Sequence, residues 1–209
     1  MARRKEWRAP GNAAGERRRQ AMLEAAYALF VERGYETVTV DDIIRVSGGS
    51  KSTLYALFGS KEGVMKAVVE ALAREMLREI DLAAPLQTTP RDALTRIGNG
   101  IAELALSENA INQYRLAVAN AKPLPSLARL WYESGPKTTM EGLADYFRKE
   151  TDEGRLRVEN PGRAAAFFLG MIIFKGHLTM SIGGAPPGGE ELHDIVRGAV
   201  DVFLSAYGR

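Results

Sequence analysis

The chain has 209 residues, 45% of them apolar, which is enough to bury a sizeable core and excludes a disordered tail. Its 28 basic and 26 acidic residues leave a net charge of only +2, so the whole molecule is no polycation. The absence of cysteine excludes a disulfide framework and a thiolate metal site, and fits a reducing compartment. Charge is local instead: residues 1–19 hold Arg3, Arg4, Lys5, Arg8, Arg17, Arg18 and Arg19 against Glu6 and Glu16, a net of about +5. The longest apolar run, Ala164 to Phe174, falls short of the roughly 20 residues a membrane span needs, and no apolar stretch of signal-peptide length follows the basic start. A cytoplasmic protein without a membrane partner is the expectation.

After an arm over residues 1–14, Met22, Ala26, Leu29 and Phe30 recur at helical spacing until Gly34 stops the run, predicting a first helix over 16–33. Thr39 before Asp42 reads as an N-cap and acidic third position, with Ile43, Ile44 and Val46 as the apolar stripe of a second helix ending near Ser47. Gly48-Gly49 forces a turn, Ser50 caps a third helix to about Leu57, and Gly59 separates it from a fourth that opens at Ser60-Lys61-Glu62. Pro85 and Gln87 to Pro90 mark the passage into a second region, with Thr89, Pro90 and Asp92 as cap, first position and acidic third position. Helices are predicted at 90–106, 108–120, 126–133 and 137–153, punctuated by Pro123, Pro125 and Gly135-Pro136. Another starts at Asn160-Pro161 and ends near Gly183, and a last one follows the Gly183–Gly189 loop. The fold class is all-α: a helix-turn-helix head over 15–75, its motif at 39–58, and a larger helical ligand-binding and dimerisation body over 76–209.

Two short helices around a glycine turn are the parts of a DNA-binding helix-turn-helix, whose second helix offers its N-terminal residues to base edges in the major groove. Within 50–58, Leu54, Leu57 and Phe58 share a face that can anchor on the first helix, leaving Lys51, Ser52 and Tyr55 outward and Thr53 at the flank. The run from Ala25-Ala26 through Leu29-Phe30, Gly34-Tyr35, Thr39 to Ile43, Ser47-Gly48, Ser50 to Tyr55, Phe58 and Ser60-Lys61-Glu62 closely resembles the tetracycline-repressor family over about 50 residues. That resemblance implies that Thr39 and Tyr55 bind phosphates, that Lys51, Ser52 and Thr53 lie nearest the bases, and that Lys61 binds phosphate from the start of the fourth helix. Ala56 and Leu57 depart from the family's pattern, which often has histidine or another aromatic residue there. Arg17, Arg18 and Arg19, read as part of a basic arm, could supply the missing backbone contacts.

The resemblance also implies an operator-DNA partner, a homodimer through the last two helices and a small-molecule effector in the body. The helix from 161 is apolar almost all round, so one side is expected to face the partner subunit and another the pocket. Tyr114, Trp131, Tyr132, Phe168, Met171 and Phe174 are the candidate ligand contacts, favouring an apolar or aromatic molecule, with His177 a candidate for a polar contact. The segments from Tyr114 and from Leu127 to Pro136 resemble the ligand domain of one subgroup. No catalytic set, phosphate-cradling loop or metal site is expected: the two histidines, His177 and His193, sit on different helices, and no cofactor is implied. The reading is a repressor released by its effector. The alternatives are an activator or co-ligand-dependent regulator, and a helical ligand-binding protein with a degenerate head.

Overall fold

The computed structural model describes residues 13–79 and 89–209; the expected arm through residue 12 and the passage around Pro85 lie outside the described residues. The protein is all-α, with no strand among the described residues and one isolated bridge between Leu156 and Gly208. It divides into two compact units, one ending at Val68 and one beginning at Val69.

In the first unit, α1 (Ala13–Arg33), α2 (Val40–Ser47), α3 (Lys51–Phe58) and the first turns of α4 (Lys61–Glu79) follow their terminal signals closely. Thr39 and Asp42 form a reciprocal capping box on α2: the Asp42 amide donates to Thr39 Oγ1 at 3.2 Å, and the Thr39 amide donates to Asp42 Oδ2 at 2.9 Å. Ser50 caps α3 by accepting from the Thr53 amide at 3.2 Å. Between them Gly48 and Gly49 take φ of +73° and +99°, a left-handed turn that a side chain would strain. Gly49 is constrained twice, because a Cβ there would lie 2.9 Å from Met22 Cε on α1. The unit's buried side chains include Met22, Ala26, Leu29, Phe30, Ile43, Leu54 and Met65. Two members of the expected apolar set point outward instead: Val46 is 62% exposed and Leu57 39%. An eight-residue helix cannot bury every apolar residue it carries against one neighbour.

The second unit contains α5 (Pro90–Ala105), α6 (Glu108–Ala119), α7 (Pro125–Tyr132), α8 (Thr138–Asp152), α9 (Pro161–Ser181) and α10 (Gly189–Tyr207). Its core is formed by α5, α8, α9 and α10 around Phe147, Phe168 and Phe203. Phe147 stacks on Phe203 at 4.6 Å between ring centroids, and Phe168 meets Phe203 edge-on at 5.3 Å. Gly98 allows α5 a close approach, since a Cβ there would sit 2.8 Å from Val196 Cγ1. The helix α9 has the length and apolarity to cross a membrane, unlike the shorter run the sequence suggested, but its Phe168, Leu169 and Ile172 are spent in this core.

The break expected at Gly135-Pro136 does not occur. A π-helical turn, Glu133–Lys137, joins α7 to α8 with Pro136 inside it. The wider turn accommodates a ring that lacks an N–H and would crowd an ordinary α-turn. Neighbouring hydroxyls take up carbonyls of this stretch: Ser134 Oγ donates to Leu130 O at 2.6 Å, Thr138 Oγ1 to Glu133 O at 2.9 Å and Thr139 Oγ1 to Gly135 O at 3.2 Å.

Candidate functional site

The head presents the N-terminal half of α3 outward. Lys51, Ser52 and Tyr55 are exposed and Thr53 is half-buried at the flank, while Leu54 is fully buried and holds the helix down. Ala56 and Leu57, the two departures from the family's pattern, share the exposed side. Several polar groups of this surface have intramolecular partners. Lys51 Nζ pairs with Asp41 Oδ1 at 3.0 Å, and that hydrogen bond and charge hold its ammonium above the usual lysine value. Thr39 Oγ1 donates to Asp42 Oδ2 at 2.6 Å, and the hydroxyls of Ser50 and Thr53 lie 3.0 Å apart. Hydrogen bonds from Thr39 hold the Asp42 carboxyl down at about 2, helped by Arg45 at 2.6 Å.

Lys61, at the start of α4, turns toward the loop before α2. Its ammonium donates to the carbonyls of Tyr35 (2.9 Å), Glu36 (3.4 Å) and Val38 (3.0 Å), and lies 4.2 Å from the centre of the Tyr35 ring. A lysine has three N–H donors, so all are committed to the loop between α1 and α2. Arg17, Arg18 and Arg19 are not an arm, for α1 begins at Ala13 and carries them on its first turns. The Arg19 guanidinium lies 5.4 Å from the Phe58 ring centre, and Arg18 reaches the turn, its Nη1 3.3 Å from where a Gly48 Cβ would be.

In the body, a cavity of about 350 Å³ opens between α5, α6, α7, the π-helical turn, α8 and α9. Ile101 and Leu104 come from α5, Trp131 and Tyr132 from α7, Met140 from α8, and Leu169, Ile173 and His177 from α9. Gly135 and Pro136 bring the π-helical turn into the wall, and α6 contributes Ala110 and Gln113. Arg115 ties α6 to the end of α9, its guanidinium donating to Met180 O at 2.5 Å and Ser181 O at 3.1 Å. Burial holds the His177 imidazole below its ordinary value, which favours its neutral form.

Of the seven candidate ligand contacts, Trp131, Tyr132 and His177 reach this wall. Tyr114 stands behind them, its ring centre 4.4 Å from His177 and 5.7 Å from Trp131. Phe168 belongs to the core, and Met171 and Phe174 point outward. A helix that is apolar all round gives no phase from which to read its faces. Gln113, Thr139 and the π-helical turn were missed, because their convergence depends on how α6 and α8 pack and no local spacing marks it. Phe167, Met171, Phe174, Leu178 and Ile182 instead form one exposed apolar stripe along α9, with Val202 exposed on α10. Among the described residues no His, Asp and Glu cluster could hold a metal ion.

Comparison with known proteins agrees with this architecture. Residues 22–68 match the family model described as bacterial regulatory proteins of the tetR family, and residues 92–209 match that of the AefR-like transcriptional repressor C-terminal domain. The chain is 25% identical to the transcriptional repressor AcnR of Corynebacterium glutamicum over 87% of its own length and 92% of that protein. It is 26% identical to the transcriptional regulator YfiR of Bacillus subtilis, over 75% and 77% of the two chains. A TetR-family regulator from Mesorhizobium loti superposes with a TM-score of 0.84 at 26% identity, covering 93% of this chain and 98% of that one. The flavonoid-responsive regulator FrrA superposes with a TM-score of 0.82 at 26% identity, covering 92% and 98%. With both units matched at the expected places, the chain belongs to the TetR family of DNA-binding transcriptional regulators.

Proposed function

We propose that this regulator is a cytoplasmic homodimeric repressor that occupies a near-palindromic operator until a small apolar or aromatic effector enters its body. The observation that carries the reading is the pairing of an outward helix-turn-helix surface with an apolar cavity in the second unit. On DNA, Lys51, Ser52 and Thr53 read base edges, while Thr39 and Tyr55 meet phosphates. Lys51 then exchanges its internal partner Asp41 for the duplex, a cheap exchange for exposed groups, and Thr39 redirects its hydroxyl from the half-buried Asp42 carboxylate. Arg17, Arg18 and Arg19 add backbone affinity from the start of α1 and little sequence choice. Lys61 acts as a positioning residue: by fastening the loop before α2 it sets where the capping box and the turn lie.

The apolar stripe on α9, whose Phe174 is 69% and Ile182 80% exposed, supports pairing of two copies through α9 and α10. Two recognition helices in a symmetric dimer suit two inverted half-sites. The effector acts by shifting the spacing of the heads through α4, and coupling of about 1–3 kcal/mol would change operator affinity roughly 5- to 150-fold.

Transcription from the target promoter in a strain lacking the gene tests the sign of regulation. A repressor's loss raises it; a fall in transcription on deletion would mark an activator instead. Sedimentation of Phe174→Asp tests the dimer, with a monomer expected where the native chain sediments at twice the mass. A dimeric Phe174→Asp variant would move the interface elsewhere.

A further inference from the structure

A protein wall that recognises a small molecule must do so with the few polar groups it leaves uncommitted. The cavity has five polar side chains in its wall: Gln113, Thr139, His177, Trp131 and Tyr132. Thr139 has committed its proton to Gly135 O at 3.2 Å. Tyr132 is 46% exposed, so water can serve its hydroxyl. Trp131 is half-buried, and its indole N–H is not among the groups shut off without a partner. His177, whose burial favours the neutral imidazole, packs edge-on against Tyr114. Gln113 stands apart, being only 5% exposed and having an amide nitrogen that is shut off from solvent without a hydrogen-bond partner.

Stranding such a donor costs free energy that an apolar residue of the same shape would not. Gln20 Oε1 and Asn99 Oδ1 are also buried without a partner, but neither residue lines the cavity. The last torsion of glutamine is soft, so turning the Gln113 nitrogen into the cavity asks little. No wall residue carries a formal charge at neutral pH, so an ion entering here would lose its hydration without compensation.

We infer that the effector is an uncharged, largely aromatic molecule carrying a carbonyl or ether oxygen, and that Gln113 is the specificity residue whose Nε2–H₂ group donates to that oxygen. The inference rests on the proposed role of the cavity as the effector site. It narrows the class: hydrocarbons lack the acceptor, and carboxylates or amines carry a charge the wall cannot answer.

Calorimetric titration of the full-length protein with three probes of one skeleton tests it: benzophenone, diphenylmethane, in which a methylene replaces the carbonyl, and 4-benzoylbenzoate. Benzophenone is expected to bind about tenfold tighter than diphenylmethane, the effect of one hydrogen bond to a buried donor. The carboxylate is expected to bind at least about a hundredfold more weakly than benzophenone. In Gln113→Leu the preference for benzophenone should vanish while diphenylmethane binds as well or better. Gln113→Met serves as a second variant of matched length. Both should melt at or above the native temperature, because each removes the stranded donor. A preference that survives in both variants, or equal native affinities for benzophenone and diphenylmethane, would overturn the role of Gln113 while leaving the cavity as an apolar site. If no probe binds the native protein, the reading of the cavity as an effector site falls, and this inference with it.

Discussion

The two units treat polar groups in opposite ways. In the head, Lys51, Thr39, Thr53 and Lys61 all have internal partners, and those of Lys51 and Thr53, Asp41 and Ser50, lie on exposed surface where they exchange easily. In the body, the cavity wall is mostly apolar and keeps one amide unsatisfied. The contrast follows from the ligand each must meet. A duplex is charged and hydrated, so its readers need only hold their geometry until phosphates and bases replace weak internal bonds. A small apolar molecule offers few handles, so a single donor without a rival partner carries much of the discrimination.

That contrast can be broken at several points. The largest effect is expected in the body, where four helices share one aromatic cluster: Phe203→Ala should cost about 3–5 kcal/mol by removing the ring that packs on both Phe147 and Phe168. Denaturant unfolding checks this, and a loss below about 1 kcal/mol would mean that the aromatic cluster is not the body's keystone. In the head, Lys51→Ala should weaken a specific site roughly ten- to a hundredfold while hardly touching stability, since its partner Asp41 is exposed. Equal losses on specific and random duplexes would make Lys51 a phosphate contact instead of a base reader.

Lys61→Met separates positioning from phosphate binding. A lost phosphate contact lowers the slope of log K against log salt by about 0.9. The three carbonyl bonds of Lys61 predict an unchanged slope, weaker binding and a head destabilised by about 1 kcal/mol. The smallest effect is set by pH. The Asp42 carboxyl is held down to about 2 from its ordinary 3.8, so the unfolded chain takes up its proton first as acid is added. Its contribution is complete above about pH 4 and is lost as pH falls toward 2. Amide exchange at Thr39 and Asp42 should rise in that window, and Asp42→Asn should abolish the rise.

Much of the head was legible in the sequence because its signals are local. A hydroxyl three residues before an acid, a pair of glycines and a serine cap each act within one turn, and α2 and α3 begin where those residues stand. The arginines invite two readings, as an extension of the basic arm and as the first turn of a helix expected from 16; α1, starting at Ala13, carries all three. Lys61 was legible as functional by resemblance, but its carbonyl partners lie 23 to 26 residues away and leave no local trace. In the body, helix ends could be read while helix faces could not. The sequence Phe167, Phe168, Met171, Phe174 runs through an outward stripe and a buried core with no polar residue to tell them apart. Pro136 misled for a similar reason, because a π-helical turn absorbs a proline that would stop an α-helix, and that turn then forms part of the cavity wall.

The central claim, a dimer that reads operator DNA with α3, is tested most directly by selecting binding sites for the full-length protein from a randomised duplex library at physiological salt. The account predicts an enriched near-palindrome with two inverted half-sites, bound at least about a thousandfold tighter than random duplex and lost from the Lys51→Ala selection. A pool with no enriched sequence, or a single half-site bound as well as the inverted pair, would contradict it.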